Sequence, residues 1–168
     1  MLNIVFKPDL LNLSVGSRIA FIRRYRKMSQ NEVSNKLGIT GESKRRTITR
    51  YEKGDRYPKY ERIVELSKIL KINCNLIKRY EFDNILDLMY VFMWLEEIIP
   101  NYHFDLTETT NLDDINLSQL KFCLIKWGKM RAKRNSGEIT NEEYMEWKLN
   151  YDVMEDFINE WYFKYKNR

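Results

Sequence analysis

The sequence predicts a mainly α-helical protein in two parts: five short helices, then a second, mostly helical region with one small β-hairpin. Three observations carry that expectation. Apolar residues recur at three- and four-residue spacing through most of the chain. A Ser or Thr followed three residues later by Glu, the mark of a helix start, occurs at Ser29/Glu32 and again at Thr140/Glu143. The charge is also divided. Residues 1–73 hold 17 Lys+Arg and 7 Asp+Glu, a net of +10, whereas residues 74–168 hold 12 and 17, a net of −5. A basic half of that size points to a polyanionic partner.

Composition excludes several function classes. The 168 residues are 43% hydrophobic and 14% aromatic, enough to build packed cores. No run of about 18 apolar residues suggests a membrane span. Lys7, Pro8 and Asp9 interrupt the apolar N-terminus, so no signal peptide is expected, and the localisation expected is cytoplasmic. One histidine and two cysteines, Cys74 and Cys123, make neither a disulfide framework nor a zinc set. No nucleophile or paired-acid motif stands out, so neither catalysis nor a cofactor or metal is expected.

The elements follow in order. Residues 1–13 form an arm. Ser14 or its neighbour caps a first helix to about Lys27, with Ile19 and Ile22 on its apolar face. Ser29 and Glu32 open a second helix, Gln30 to Leu37, that buries Val33 and Leu37. Gly38 suits the left-handed turn that ends it, and Ile39 plugs the core. A third helix runs from about Ser43, with Ile48 and Tyr51 inward and Gly54 as its stop. A fourth, Tyr60 to Leu70, buries Ile63, Leu66 and Leu70. Asn73 caps a fifth starting near Asn75.

Several segments of this half resemble the Xre/Cro-type helix-turn-helix family. Ser29-Gln30-Asn31-Glu32-Val33 is similar to its S-Q-x-x-L opening, and Lys36-Leu37-Gly38-Ile39 to its K-L-G-I turn. Ile48 to Pro58 resembles I-S-R-Y-E-x-G-x-R-x-P, and Leu66 to Ile72 the closing L-x-x-x-L-x-I. The resemblance covers about residues 15–78 and implies a five-helix, lambda-repressor-like domain over 14–78. One departure is plain: four more residues separate Ile39 from Ile48 than is usual there. Either the turn is longer or the third helix gains a turn.

The resemblance also implies site roles. The third helix enters the major groove of duplex DNA, and the second crosses the backbone. By position, Lys44, Arg45, Arg46, Thr49 and Arg50 are the expected base-contacting residues. The arginine fork suits guanine O6 and N7. Gln30, Lys53, Arg56, Tyr57 and Lys59 are the expected phosphate contacts. Arg23 and Glu52 resemble an internal salt bridge with a structural role.

Residues 79–168 are expected to form an acidic, mostly helical dimerisation or partner-binding domain. Asp83 caps a helix over Asn84 to Ile99, with Pro100 just beyond. Tyr102–Leu106 and Ile115–Leu117 pair as a hairpin around 107–114. Ser118 caps a helix to about Arg134, broken by Asn135-Ser136-Gly137. Thr140 and Glu143 open another, with Tyr144 and Trp147 inward. The tail carries Met154, Phe157, Ile158, Trp161 and Tyr165 at helical spacing. Phe157, Trp161 and Tyr165 either pack on this domain or form a dimer or partner surface. Ser136 to Lys148 resembles a pattern in accessory domains of Xre-like regulators of low-GC bacteria and their mobile elements.

The expected function is sequence-specific binding of double-stranded DNA by a homodimer on an inverted-repeat operator, as a repressor. The alternative expectation is a bifunctional phage or plasmid protein. Its head would control its own promoter, and residues 79–168 would bind a protein target, as an anti-CRISPR-like nuclease inhibitor or an antitoxin does.

Overall fold

The computed structural model describes residues 13–41, 44–82, 84, 86–99 and 115–166, the side chains of 115–118 and 160–166 excepted. The chain divides into two compact units, Met1–Arg79 and Tyr80–Arg168. The described residues are helical and contain no strand.

The first unit holds α1 (Val15–Tyr25), α2 (Gln30–Lys36), α3 (Lys44–Lys53) and α4 (Tyr60–Leu70). The Ser14 side chain caps α1 by accepting from the Ser17 N–H. At α2 both halves of the capping box form: Ser29 Oγ accepts from Glu32 N at 3.1 Å, and Ser29 N donates to Glu32 Oε2 at 2.6 Å. Gly38 has φ of +67°, the left-handed conformation that lets the chain leave α2. The core is Val15, Ile19, Ile22, Val33, Ile48, Tyr51, Ile63, Leu66, Leu70, Leu76 and Ile77, all buried.

Two expectations for this unit are corrected. The fifth helix is a single 3-10 turn, Cys74–Leu76, with Asn73 Oδ1 accepting from Asn75 N at 2.9 Å. The asparagine cap forms, but the chain leaves after one turn. Leu37 and Ile39 are half-buried, because Leu37 lies at the frayed end of α2 and Ile39 on the turn beyond it.

One close approach sets the frame. A Cβ on Gly16 would stand 2.2 Å from the Tyr51 carbonyl oxygen and 2.7 Å from that of Glu52. Only glycine lets the start of α1 meet the backbone of α3 at this distance. The third helix is thereby seated on the core by its C-terminal half, and its outer face is left open.

The second unit holds α5 (Asp87–Ile98), α6 (Ile115–Asn135), α7 (Asn141–Asn150) and α8 (Val153–Lys166). Its buried side chains include Met89, Met93, Trp94, Leu124, Trp127, Tyr144, Leu149, Tyr151 and Val153. The capping box at Thr140/Glu143 is complete. Three boundaries differ from expectation. Helix α5 begins at Asp87, with Leu86 at the cap position and no side-chain cap. Ile115–Leu117 is not a strand but the first turn of α6, and Ser118 therefore lies inside that helix rather than capping it. A β-branched residue at the start of an apolar run does not by itself outweigh helical continuity. Asp83, Pro100, the 102–106 half of the hairpin and its turn lie outside the described residues.

Candidate nucleic-acid interface

Helix α3 is described from Lys44, four residues before Ile48, to Lys53. The start of α3 is tied to α2 from below: the buried Ser34 hydroxyl donates to the Lys44 carbonyl at 2.5 Å. Lys44 itself is half-buried, less outward than expected.

Ile48 and Tyr51 point into the core, which turns the opposite face of α3 to solvent. Arg45, Arg46 and Arg50 are exposed there, and Thr49 is half-buried between them. Arg45, Arg46, Thr49, Arg50 and Lys53 line one open groove together with Asp55. Beside it, Ser29, Gln30 and Asn31 at the start of α2 share a second open groove with Arg23 and Arg45. The α2 start and the outer face of α3 thus adjoin at Arg45, with polar side chains on the α2 side and four exposed cations, Arg45, Arg46, Arg50 and Lys53, on the other. Such a surface attracts a polyanion and offers bidentate donors to base edges.

Beneath it runs a chain of polar contacts. The Arg23 guanidinium donates to both Glu52 oxygens, at 2.5 and 3.0 Å, and to the Met28 carbonyl at 2.7 Å. The two side chains are 10% and 7% exposed, so this is a nearly dry, bidentate pair. Glu52 Oε2 also accepts from Gln30 Nε2 at 2.7 Å. Gln30 Oε1 accepts in turn from Thr49 Oγ1 at 3.0 Å and from Arg45 Nε at 3.4 Å. The structure therefore joins five of the sequence-derived site residues, Arg23, Glu52, Gln30, Thr49 and Arg45, in one network.

The remaining flanking residues lie after α3. Lys53, Arg56, Tyr57 and Lys59 are all exposed, Tyr57 by 59%. The turn is held by the Arg56 N–H donating to the Arg50 carbonyl at 3.2 Å. Tyr60, 67% exposed at the first position of α4, extends this rim and was not singled out in the sequence.

Two further arginines escaped the sequence reading. Arg18 is 2% exposed; its guanidinium donates to the Leu76 carbonyl at 2.7 Å and to that of Lys78 at 2.8 Å. Arg26 donates to the Leu70 and Lys71 carbonyls at 2.8 and 2.9 Å, at the C-terminal end of α4. Arg26 and one arm of Arg18 satisfy carbonyls at helix C-terminal ends, and the other arm of Arg18 holds the chain just beyond the 3-10 turn. The signal for Arg18 was present: it falls three after Val15 and four before Ile22, on the buried stripe.

The second unit holds a different polar cluster. Trp127 Nε1 donates to Tyr144 Oη at 2.7 Å, and Tyr144 Oη donates to Glu96 Oε2 at 2.8 Å. Lys148 Nζ bridges Glu96 at 2.7 Å and Glu97 at 2.9 Å, with all three side chains under 10% exposed. Burial, then the Glu96 charge, pushes the Tyr144 hydroxyl up. Nearby, burial pushes the Cys123 thiol from 9.0 to about 12. That thiol is a small, buried, packed group. Of the three aromatics read as a dimer or partner surface, Phe157 is half-buried edge-on against Phe122, centroids 6.0 Å apart. The side chains of Trp161 and Tyr165 lie outside the described residues. No helix among the described residues is long and apolar enough to cross a membrane.

No match is found among curated proteins or among solved structures. Residues 16–87 do match the family described as a helix-turn-helix domain, a stretch running from the α1–α3 contact at Gly16 to the first residue of α5. Residues 16–87 of this chain are therefore similar to a helix-turn-helix domain, in agreement with the helical first unit.

Proposed function

We propose that this protein is a sequence-specific, double-stranded-DNA-binding regulator of transcription, acting as a dimeric repressor. One observation carries the reading: Arg45, Arg46, Thr49 and Arg50 share the open outer face of a helix seated in a helix-turn-helix frame. The exposed arginines are the groups suited to base edges, each good bidentate pair contributing about 1–3 kcal/mol of discrimination. Lys53, Arg56, Tyr57 and Lys59 surround them as backbone contacts, which set register and affinity but carry little sequence information.

The second unit supplies dimerisation in this reading. Met154 and Ile158, one turn apart on α8, are 40% and 54% exposed, an apolar pair left uncovered within one chain. A second copy covering it brings two heads onto half-sites about 34–36 Å apart, or a multiple of that, on one face of the duplex. Occupancy of such an operator blocks polymerase.

The test is fluorescence anisotropy of the full chain on duplexes tiled across the DNA upstream of its own gene, over a salt series. Sedimentation of the free protein runs beside it. One duplex bound several hundred-fold above a scrambled control, by a dimer, is the expected result. Equal binding to all duplexes that fades with salt would reduce the head to a charge contact. A monomer that captures a protein through residues 79–168 would favour the bifunctional inhibitor or antitoxin instead.

A further inference from the structure

We propose that Asp55 is a specificity-determining residue, one that accepts a hydrogen bond from a base-edge amine, cytosine N4 ahead of adenine N6. The inference rests on the DNA-binding reading above and adds to it the one chemistry that the arginines and Lys53 cannot supply.

The turn after α3 places the residue. Gly54, at φ of +80°, lets the chain reverse just past Lys53, and its N–H donates to the Tyr51 carbonyl at 3.2 Å. The Arg56 N–H reaches back to the Arg50 carbonyl, also at 3.2 Å. Asp55 is held between these two bonds. It therefore lies alongside the outer face of α3 and lines the same open groove as Arg45, Arg46, Thr49, Arg50 and Lys53. Asp55 is exposed, and among the described residues no hydrogen bond or ion pair reaches its carboxylate, not even from Arg46, Arg50 or Lys53. Nor does the fold gain from a negative charge there, because the C-terminal end of a helix disfavours an anion.

Its neighbours leave a gap in what the groove can read. Arginine and lysine side chains donate hydrogen bonds and accept none. The Thr49 hydroxyl lies 3.0 Å from Gln30 Oε1 and 2.9 Å from the Arg45 carbonyl, so its hydrogen is engaged within the protein. Such a set pairs with acceptors: guanine O6 and N7, thymine O4, adenine N7 and phosphate oxygens. The cytosine N4 and adenine N6 amines, also displayed in the major groove, need an acceptor. Asp55 brings two free carboxylate oxygens to that groove. Facing an amine, it gains a charge-assisted hydrogen bond. Facing guanine O6, thymine O4 or a phosphate, it meets another acceptor and repels it, so the wrong base is penalised as well as the right one favoured. Cytosine leads because adenine sets its N7 acceptor beside N6, whereas the cytosine edge offers the amine alone.

The test compares the full chain with Asp55→Ala and Asp55→Asn on its preferred duplex and on a library of that duplex mutated one base pair at a time. An exposed, unpaired side chain can be exchanged without unfolding the protein, so thermal melts of the three should coincide. One position should favour cytosine, then adenine, in the wild-type chain. There Asp55→Ala loses about tenfold in preference, and preference elsewhere stays within about twofold. Asp55→Asn, whose amide pairs with adenine N6 and N7, should move that position toward adenine. N4-methylcytosine placed there exchanges the outward amine hydrogen for a methyl. It should weaken the wild-type complex about tenfold and leave that of Asp55→Ala unchanged. Tighter binding of Asp55→Ala to all duplexes alike, with every base preference kept, would make Asp55 a repulsive charge only and overturn the proposal. Unchanged binding overturns it too. A wild-type chain that prefers no duplex removes the DNA-reading function and this proposal with it. A wild-type preference that survives intact in Asp55→Ala leaves that function standing and removes this proposal alone.

Discussion

The two units solve the same problem, closing a small helical core, with opposite uses of charge. In the first, arginines on and just after α1 reach across to backbone carbonyls: Arg18 to Leu76 and Lys78, Arg26 to Leu70 and Lys71. Their partners are neutral, so these two arginines keep their charge, while Arg23 is paired with Glu52. In the second, cations meet anions side chain to side chain, Lys148 between Glu96 and Glu97 and Lys126 against Asp156. Charge is cancelled inside, and an acidic excess remains in that half. The difference teaches that the charge asymmetry is not only a surface property. In the basic unit, Arg18 and Arg26 stabilise the fold without losing their charge to an anion.

This contrast can be broken at several points. The largest effect is expected in the second unit. Lys148→Met removes the cation shared by two buried carboxylates, leaves Glu96 the longer Arg134 contact at 3.4 Å, and should cost about 3 kcal/mol in urea unfolding. Paired removal, with Glu96→Gln and Glu97→Gln added, should recover part of that. In the first unit the matching lesion is steric. Gly16→Ala drives a methyl against the Tyr51 carbonyl and should cost about 3 kcal/mol, with duplex binding lost as α3 is displaced.

Alkali should separate the units. In the native second unit the Cys123 thiol is raised by burial to about 12, against 9.0 in an open chain. The unfolded chain therefore releases this proton first. The contribution is fully present below pH 9 and is lost as pH rises toward 12, by roughly 2 kcal/mol between pH 9 and 11. Tyr144 and Tyr151, both raised by burial, act in the same direction. Circular dichroism and tryptophan emission should show the second unit melting ahead of the first. The opposite order would mean that burial of these groups does not govern alkaline stability.

The next effects are on recognition. Arg45→Ala should lose about 1–3 kcal/mol at one base pair, whereas Lys53→Ala should weaken all duplexes alike and lower the salt slope by about one. An anisotropy series over salt separates the two. The smallest effects are shared by both units. Ser29→Ala and Thr140→Ala each remove an N-cap and should cost about 1 kcal/mol in thermal melts. Glu32 and Glu143 are held below 4.5, chiefly by the backbone N–H of Ser29 and of Thr140. Their contribution is present above pH 4.5 and is lost as pH falls through the lowered value. A melt on one cap that ignores acid would show that its box is open in solution.

Legibility in the sequence followed the range of the interactions. Both capping boxes, the bounds of α4, and the inward Ile48 and Tyr51 were readable because each depends on neighbours within four residues. The start of α6 was misread at Ile115–Leu117, where three residues were too few to carry either period. The fifth helix was over-read because a cap signal does not set how far a helix runs. In the interface, the cationic residues were named from spacing, but the contacts among them were not. Glu52 lies 22 residues from Gln30 and 29 from Arg23, and no local pattern encodes their meeting.

A mainly helical chain, a basic half resembling a helix-turn-helix domain, and a set of cationic hydrogen-bond donors are all legible in the amino-acid order. These follow from periodicity, capping and charge, which are local or additive. That Gly16 seats α3 and that Gln30 bridges Glu52 and Arg45 became visible once the segments were folded together. Those are matters of distance between segments far apart in the chain, and distance is set when the core closes.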